Sequence, residues 1–335
     1  MNVLVSGGAG YIGSHTVLAL VRGGHRVVAL DDLSAGRREA VDASATLVVG
    51  DVRDGALVAE VVRAHRIESV VHFASRIQVG ESVSNPRIYY RDNVVASLAF
   101  LDAVLDAGVR NFVFSSSAAV YGDPVATPID ESHPKVPKSP YGESKLVVEW
   151  ALESYARAYG LRYAALRYFN AAGADAASGL GECHEPETHL IPLVLEAALG
   201  ARPHVTVFGH DYDTPDGTCI RDYVHVLDLA DAHVAALVHL AGGNPGGAFN
   251  LGSGTGHSVN EVLRAVETVT GKKVPVVRGE RRPGDPPSLV ASPRRAEETL
   301  AWRASRSSLE RIVSDAFAWH TAGHASRASK AHVRG

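Results

Sequence analysis

The sequence predicts an α/β chain: a Rossmann-type doubly wound parallel sheet, followed by a smaller C-terminal mixed α/β domain. Three observations carry this. The chain opens with a short β-branched run, Asn2-Val3-Leu4-Val5-Ser6, that turns at once into Gly7-Gly8-Ala9-Gly10-Tyr11-Ile12-Gly13. Strand-length apolar runs then alternate with helix-length segments as far as Leu166. From about Asn170 the composition shifts to longer loops, and the alternation weakens. We therefore expect residues 1–170 to form the first domain, with segments of about 210–250 returning to it. Residues 171–320 would be mainly the second domain, and 321–335, which lack apolar spacing, a disordered tail.

Taken in order, glycines at 7, 10 and 13 let a strand turn tightly into a helix, let a pyrophosphate approach the helix N-terminus, and let helix pack on sheet. The helix over 11–22 ends at Gly23-Gly24, and a second strand returns to Asp31-Asp32. An acid at that strand end takes adenosine ribose hydroxyls, so Asp31 predicts NAD: a 2′-phosphate would be repelled, and no Arg stands in its place. A strand over 46–49 ends in Gly50-Asp51-Val52, a helix follows over 55–65, and a strand over 69–73 ends at Phe73-Ala74. Asp51, Val52, Phe73 and Ala74 thus sit just past strand carboxyl ends, where ligands bind in such sheets, and are candidate adenine contacts. A long helix over 85–107 leads to a strand, 111–114, that delivers Ser115-Ser116-Ser117.

Ser139-Pro140 then starts a helix running to about Tyr159, with Ser as N-cap and Pro in the first turn. Tyr141 and Lys145 are four apart and project from one face. A phenol titrates near 10; a base for hydroxyl oxidation near neutrality needs a pKa about 3 units lower, roughly 4 kcal/mol of anion stabilisation. The Lys145 ammonium would supply part, and a cationic nicotinamide more. Ser117 is placed to hydrogen-bond the same hydroxyl. Beyond a sixth strand over 161–166, the Gly-, Ala- and acid-rich stretch 171–188 is a candidate mobile substrate loop. Helices over 190–199, 228–240 and 258–270 separate short strands near 205–208 and 249–251.

Composition excludes other classes. The net charge of −4 gives no basic footprint for nucleic acid. Apolar runs are strand-length, and Met1 leads directly into a strand, so we expect no membrane segment, no signal peptide and a cytoplasmic protein. Two cysteines, Cys183 and Cys219, and scattered histidines give no metal-ligand cluster, and no metal is expected.

The runs Gly7 to His15, Val79-Gly80-Glu81-Ser82, Phe114 to Asp123, Ser139 to Lys145, Arg167-Tyr168-Phe169-Asn170, Phe208-Gly209 with Asp216-Gly217-Thr218, and Arg221 to Val226 resemble the extended short-chain dehydrogenase/reductase family, in its nucleotide-sugar branch. The resemblance covers about residues 1–320. It implies reversible 4-epimerisation of UDP-galactose and UDP-glucose through a 4-keto sugar, with tightly bound NAD. It makes Tyr141 the base, with Lys145 and Ser117 assisting, and adds Tyr11, Ile12, Asp32, Ser75, Arg76, Asn93, Ser115 and Phe169 to the cofactor contacts. Around the UDP-hexose it places Asn170, His189, Leu190, Phe208, Arg221, Arg282, Asp285 and Leu289, together with Ser117 and Tyr141. Read without the family, Arg221 is equally a structural ion pair and Asp285 a turn residue.

Three positions depart from the family pattern: Ser75-Arg76 where a Lys is common, Thr188-His189-Leu190 where Asn-Asn-Leu is common, and Leu289 at the position that sets pocket size. UDP-GlcNAc, UDP-glucuronate and UDP-pentose therefore stay open as substrates. A dehydratase would need an Asp-Glu pair where this chain has Ala118-Ala119, and a non-catalytic NAD sensor would have no use for Ser117, Tyr141 and Lys145 together. The resemblance also implies a homodimer through the helices over 85–107 and 141–159. Val94, Leu98, Leu101, Leu105, Val148 and Leu152 are the candidate surplus apolar face, against ordinary core packing.

Overall fold

The computed structural model describes residues 1–282 and 285–322. The first half alternates as its sequence period dictates: β1 (Asn2–Ser6), α1 (Tyr11–Arg22), β2 (Arg26–Asp31), β3 (Thr46–Val49), α2 (Gly55–His65) and β4 (Ser69–His72). A helical stretch follows as α3 (Val79–Ser84), α4 (Pro86–Tyr89), a π-helical turn over Tyr90–Val95, and α5 (Ala96–Asp106). Then come β5 (Asn111–Ser117), α6 (Pro140–Tyr159) and β6 (Arg162–Tyr168). The single helix expected over 85–107 is thus one run interrupted by a wide turn, which carries Asn93.

The second half runs β7 (Asn170–Ala172), β8 (Ala174–Asp175), β9 (Leu180–Gly181), α7 (Leu190–Leu199), β10 (Val205–Phe208), β11 (Ile220–His225), α8 (Val226–Ala241) and β12 (Gly247–Leu251). It closes with β13 (Gly256–Ser258), α9 (Val259–Thr270), β14 (Val276–Gly279), β15 (Ser288–Leu289), α10 (Arg294–Leu300) and α11 (Leu309–Thr321). Seven strands form one parallel sheet in the order β12-β6-β5-β4-β1-β2-β3. The order reverses between β1 and β4, which opens the crevice where ligands bind in such sheets.

Alternate strand residues point to opposite faces, and both faces are buried. Val3, Val5, Val27, Ala29 and Val71 face α1 and α8, packing on Val17, Leu20, Leu229 and Leu237. Leu4, Val28, Leu30, Val70 and Phe112 face the other way, onto Val58 and Val62 of α2, Phe100 and Val104 of α5, and Val148 and Leu152 of α6. That second layer accounts for most of the apolar face proposed for a dimer. Leu101, Leu105, Val148 and Leu152 are buried in the chain's own core, because a doubly wound sheet needs helices on both sides; Val94 and Leu98 are half-buried. Large apolar side chains left exposed on these helical segments include Val79, Val83, Tyr90, Val95, Trp150 and Tyr159.

The remaining strands build small sheets. β11 pairs with β7, β13 and β15, and β10 with β14. A third core, with Val194 and Leu195 of α7, Val262 and Val266 of α9 and Ile312 and Val313 of α11, supports them. The stretch expected to be a mobile loop is instead built: β8 pairs antiparallel with β9, Asp175 caps the turn at Ser178, and the Trp319 indole donates to the Glu182 carbonyl at 3.0 Å. The tail expected over 321–335 lies, from 323 on, outside the described residues. No helix among the described residues is long and apolar enough to cross a membrane.

β12 closes the sheet in register with β6, Phe249 opposite Leu166, and Phe249 is wholly buried. Phe249→Ala should therefore cost about 3–5 kcal/mol, read as a lower midpoint in urea denaturation.

Candidate active site

The turn after β1 is held by close backbone approach. Gly7 has φ +71°, and a Cβ there would sit 2.6 Å from the Ala74 nitrogen; a Cβ on Gly13 would collide with the Gly7 carbonyl. Helix α1 begins at Gly10 with no side-chain cap, so its first N–H groups, at Tyr11 and Ile12, are presented to whatever fills the crevice. Asp31 is buried at the end of β2. Its two oxygens accept from the N–H of Ala9 and of Leu33, each at 2.9 Å, and burial raises its pKa above the usual carboxylate value. It therefore braces the turn and still has lone pairs for ribose hydroxyls. Asp32, in contrast, turns out to solvent and caps Ser34. Asp51 is held down by the Arg53 guanidinium beside it, and Val52 packs into the core. Uncapped helix start, glycine cradle and buried acid together fit an NAD dinucleotide.

At the other end of the crevice, β5 and α6 meet. Lys145 is buried, and its Nζ donates to the Ser115 carbonyl at 2.9 Å and to Ser75 Oγ at 2.8 Å. Burial pushes its pKa down to about 7, with the Glu149 carboxylate pulling the other way. Tyr141 is buried as well. Burial raises its phenol above 10.0, and the hydrogen bond with Ser117 opposes this. The expected depression of Tyr141 by Lys145 is not what the protein's own side chains produce. The ammonium is turned to Ser75 and Ser115, lies 5.8 Å from the Tyr141 ring centroid, and is itself weakened by desolvation.

Asn93, expected against the nicotinamide, clamps the loop after β4. It accepts from the Arg76 N–H at 2.7 Å and donates to the Arg76 carbonyl and to Ser144 Oγ. The Arg76 side chain pairs with Asp92 at 2.7 Å, pointing away from Lys145's partners. Ser115 Oγ is bonded to the Tyr168 hydroxyl, and Phe73 packs on the His233 ring. Two residues were missed. Glu149 and Arg167 form a buried ion pair that also takes Ser116 Oγ (2.6 Å) and the Tyr121 hydroxyl (2.8 Å). The signal for Glu149 was its place four residues after Lys145, on the same helix face.

On the second half's side, Arg221 is ion-paired to Asp285, and Arg282 stacks on the Phe208 ring at 4.1 Å. Asn170 donates to the Asp222 carbonyl at 2.9 Å. Leu289 lies opposite Arg221 across the β11–β15 ladder and packs with Ala118 and Phe169 on the Val120–Leu146 cluster. Thus the structure brings Arg221, Asp285 and Leu289 together beside Ala118, and Arg282 with Phe208 near them. His189 and Leu190 start α7, but His189 turns its Nδ1 to Glu182. Against the expectation of no metal-ligand cluster stands one group that could hold an ion: Glu182, His184, Glu187 and His189 converge, in a Glu-x-His-x-x-Glu-x-His spacing that follows no helical period.

Comparison with known proteins agrees with this geometry. The model of the NAD dependent epimerase/dehydratase family matches residues 3–252, and the chain belongs to that family. It is 53% identical over 317 residues to a UDP-glucose 4-epimerase of Azospirillum brasilense, covering 95% of this chain and 91% of the relative. Among solved structures it is similar to UDP-glucose 4-epimerase from Brucella ovis in complex with NAD, with TM-score 0.92, 48% identity, and 94% and 97% of the two chains covered. It is also similar to UDP-glucose-4-epimerase from Stenotrophomonas maltophila with bound NAD and formylated UDP-arabinopyranose, with TM-score 0.94, 42% identity, and 98% and 99% covered.

Lys145 gives a prediction whose sign can be worked out. Its folded pKa is near 7, below the unfolded value of about 10.4, so between those limits the unfolded chain binds the extra proton and nucleotide-free stability rises with pH. Lys145→Met should flatten that rise, measured as the melting temperature against pH from about 7 to about 10.

Proposed function

We propose that the chain interconverts UDP-galactose and UDP-glucose by inverting the hexose C4 centre, with NAD held in the crevice at the β1–α1 turn. The single observation that carries this is the convergence of Tyr141, Ser117 and Lys145 at the carboxyl end of β5, in the same crevice as that turn. When bound, NAD supplies a hydride acceptor and donor for C4 and a positive charge nearby.

The chain's own residues do the rest. Tyr141 takes the C4 hydroxyl proton and returns it, with Ser117 holding the same oxygen. The phenol sits in a desolvated place that keeps it protonated until positive charge arrives, so the base is formed only in the loaded crevice. Lys145 supports it from Ser115 and Ser75 and is free to reach ribose hydroxyls. Asn93 fixes the strand-end loop that carries Ser75 and Arg76. Ala118 and Ala119 have no exchangeable proton, which leaves elimination of water without an acid or base. For the substrate, Arg221 and Arg282 meet the diphosphate, whose oxygens match a guanidinium fork, while Asp285 holds Arg221 in place meanwhile. Phe208, His189 and Leu190 flank the nucleotide, and Asn170 and Leu289 border the sugar. Two free cysteines suit a reducing cytoplasm.

Purified protein given UDP-galactose without added NAD should produce UDP-glucose, resolved as C4 epimers by chromatography. Tyr141→Phe should lower turnover about 10²–10⁴-fold while keeping its bound nucleotide, read by absorbance after denaturation; unchanged turnover removes Tyr141 as the base.

We also propose a homodimer formed through the outer faces of α6 and of the rod made by the π-helical turn and α5, which leave Trp150 and Val95 in solvent in the single chain. Light scattering at micromolar concentration should give twice the chain mass, and Trp150→Glu should shift it to the single-chain mass.

A further inference from the structure

Outside the crevice, the segment between β9 and α7 gathers four side chains with no role in the chemistry above except His189. We propose that Glu182, His184, Glu187 and His189 bind one divalent transition-metal ion, zinc by preference, as a structural clasp on this segment.

The argument is geometric. One ligand atom from each residue, two imidazole nitrogens and two carboxylate oxygens, lie within 4.8 Å of one another. His184 Nδ1 is 3.1 Å from a Glu182 oxygen and 3.8 Å from a Glu187 oxygen. His189 Nδ1 is 3.7 Å from Glu187 and touches the same Glu182 oxygen as His184. Tetrahedral coordination at about 2.0–2.2 Å sets donor atoms roughly 3.3–3.6 Å apart, so the two His184 separations and the His189–Glu187 one bracket a zinc shell, while the His189–Glu182 pair, now in direct contact, would open to admit the ion. The His184 Nδ1 is buried, and what it faces is the two carboxylates.

The donor set selects the class of ion. Two imidazoles favour zinc and its neighbours over calcium or magnesium, which take oxygen shells. Two carboxylates balance a dication, leaving no net charge in a partly buried site. The shell is braced from behind: Glu187 accepts the N–H groups of Thr188 and His189 at 2.7 and 2.8 Å, and the Glu182 backbone is held by Trp319 of α11. All four positions are filled by protein, which makes the site structural rather than catalytic. It is not remote from the crevice, however. The His184 ring meets the Tyr11 ring edge-on at 6.2 Å, and His189 is the residue from which α7 starts. One ion would therefore tie the first turn of α1 to the start of α7.

The test uses untagged, full-length protein stripped with a chelator, titrated with zinc chloride alone, and passed through a desalting column before metal analysis. The expected result is about one zinc retained per chain, and with cobalt chloride a visible spectrum of the intensity that four-coordinate Co(II) gives. His184→Ala and Glu187→Gln should each reduce retained zinc at least about tenfold with far-UV circular dichroism unchanged. If His184→Ala does not fold, Glu187→Gln alone decides, since it removes only a charge. Retention of less than about a tenth of an equivalent by the unaltered chain, equal retention by Glu187→Gln, or equal retention of magnesium would each overturn the site.

Discussion

The structure depends most on one buried ammonium. Lys145 reaches from α6 to the Ser115 carbonyl, near the end of β5, and to the Ser75 hydroxyl in the loop after β4, so a single side chain ties one helix to two strands at the place where the crevice opens. Burying it is unfavourable, as its lowered pKa records, and two oxygen acceptors only partly offset the lost water. The fold tolerates this strain because both sheet faces beneath it are densely packed. Geometry at Tyr141 and Ser117 is inherited from that tie: move α6 by a fraction of a turn, and neither hydroxyl faces the other.

A second layer makes the first rigid. Behind the three serines, Glu149 and Arg167 form a charged pair that also holds Ser116 and Tyr121, and Tyr121 in turn donates to Asn250 on the outermost strand of the sheet. The hydrogen bonds are shared among five residues from α6, β5, β6, β12 and the turn after β5. Removing either charge leaves the other buried without a counter-charge, which is far more costly than replacing both with apolar groups of similar size. Such a pair specifies one docking of α6 among the several that apolar packing alone would permit.

Much of this was legible in the chain. The β1–α1 turn, Asp31, the serine run and the Tyr141–Lys145 spacing are local, so periodicity and offset suffice to read them. What escaped depends on contacts between distant segments. Nothing near Asn93 says that its amide meets Arg76, 17 residues away, and Glu149 needs Arg167 from another strand to become meaningful. Leu101, Leu105, Val148 and Leu152 read as a dimer face for the same reason: apolar spacing on α5 and α6 shows that something covers Leu101 and Val148, but not that it is the chain's own sheet. The loop before α7 lacked a period because its order comes from a β-hairpin of two-residue strands and from Trp319, both invisible to a periodicity argument.

The wide turn over Tyr90–Val95 has its own consequence. An α-helix advances about 100° per residue, so a π turn amounts to one residue too many in an otherwise regular rod. Deleting one residue there would let the rod run true with its two ends still in register, and would remove the surplus position on which the turn depends. The placement that lets Asn93 meet Arg76 while Phe100 and Val104 face the sheet exists only because the helix carries this surplus. Length in this segment is therefore constrained more tightly than the identity of most of its side chains.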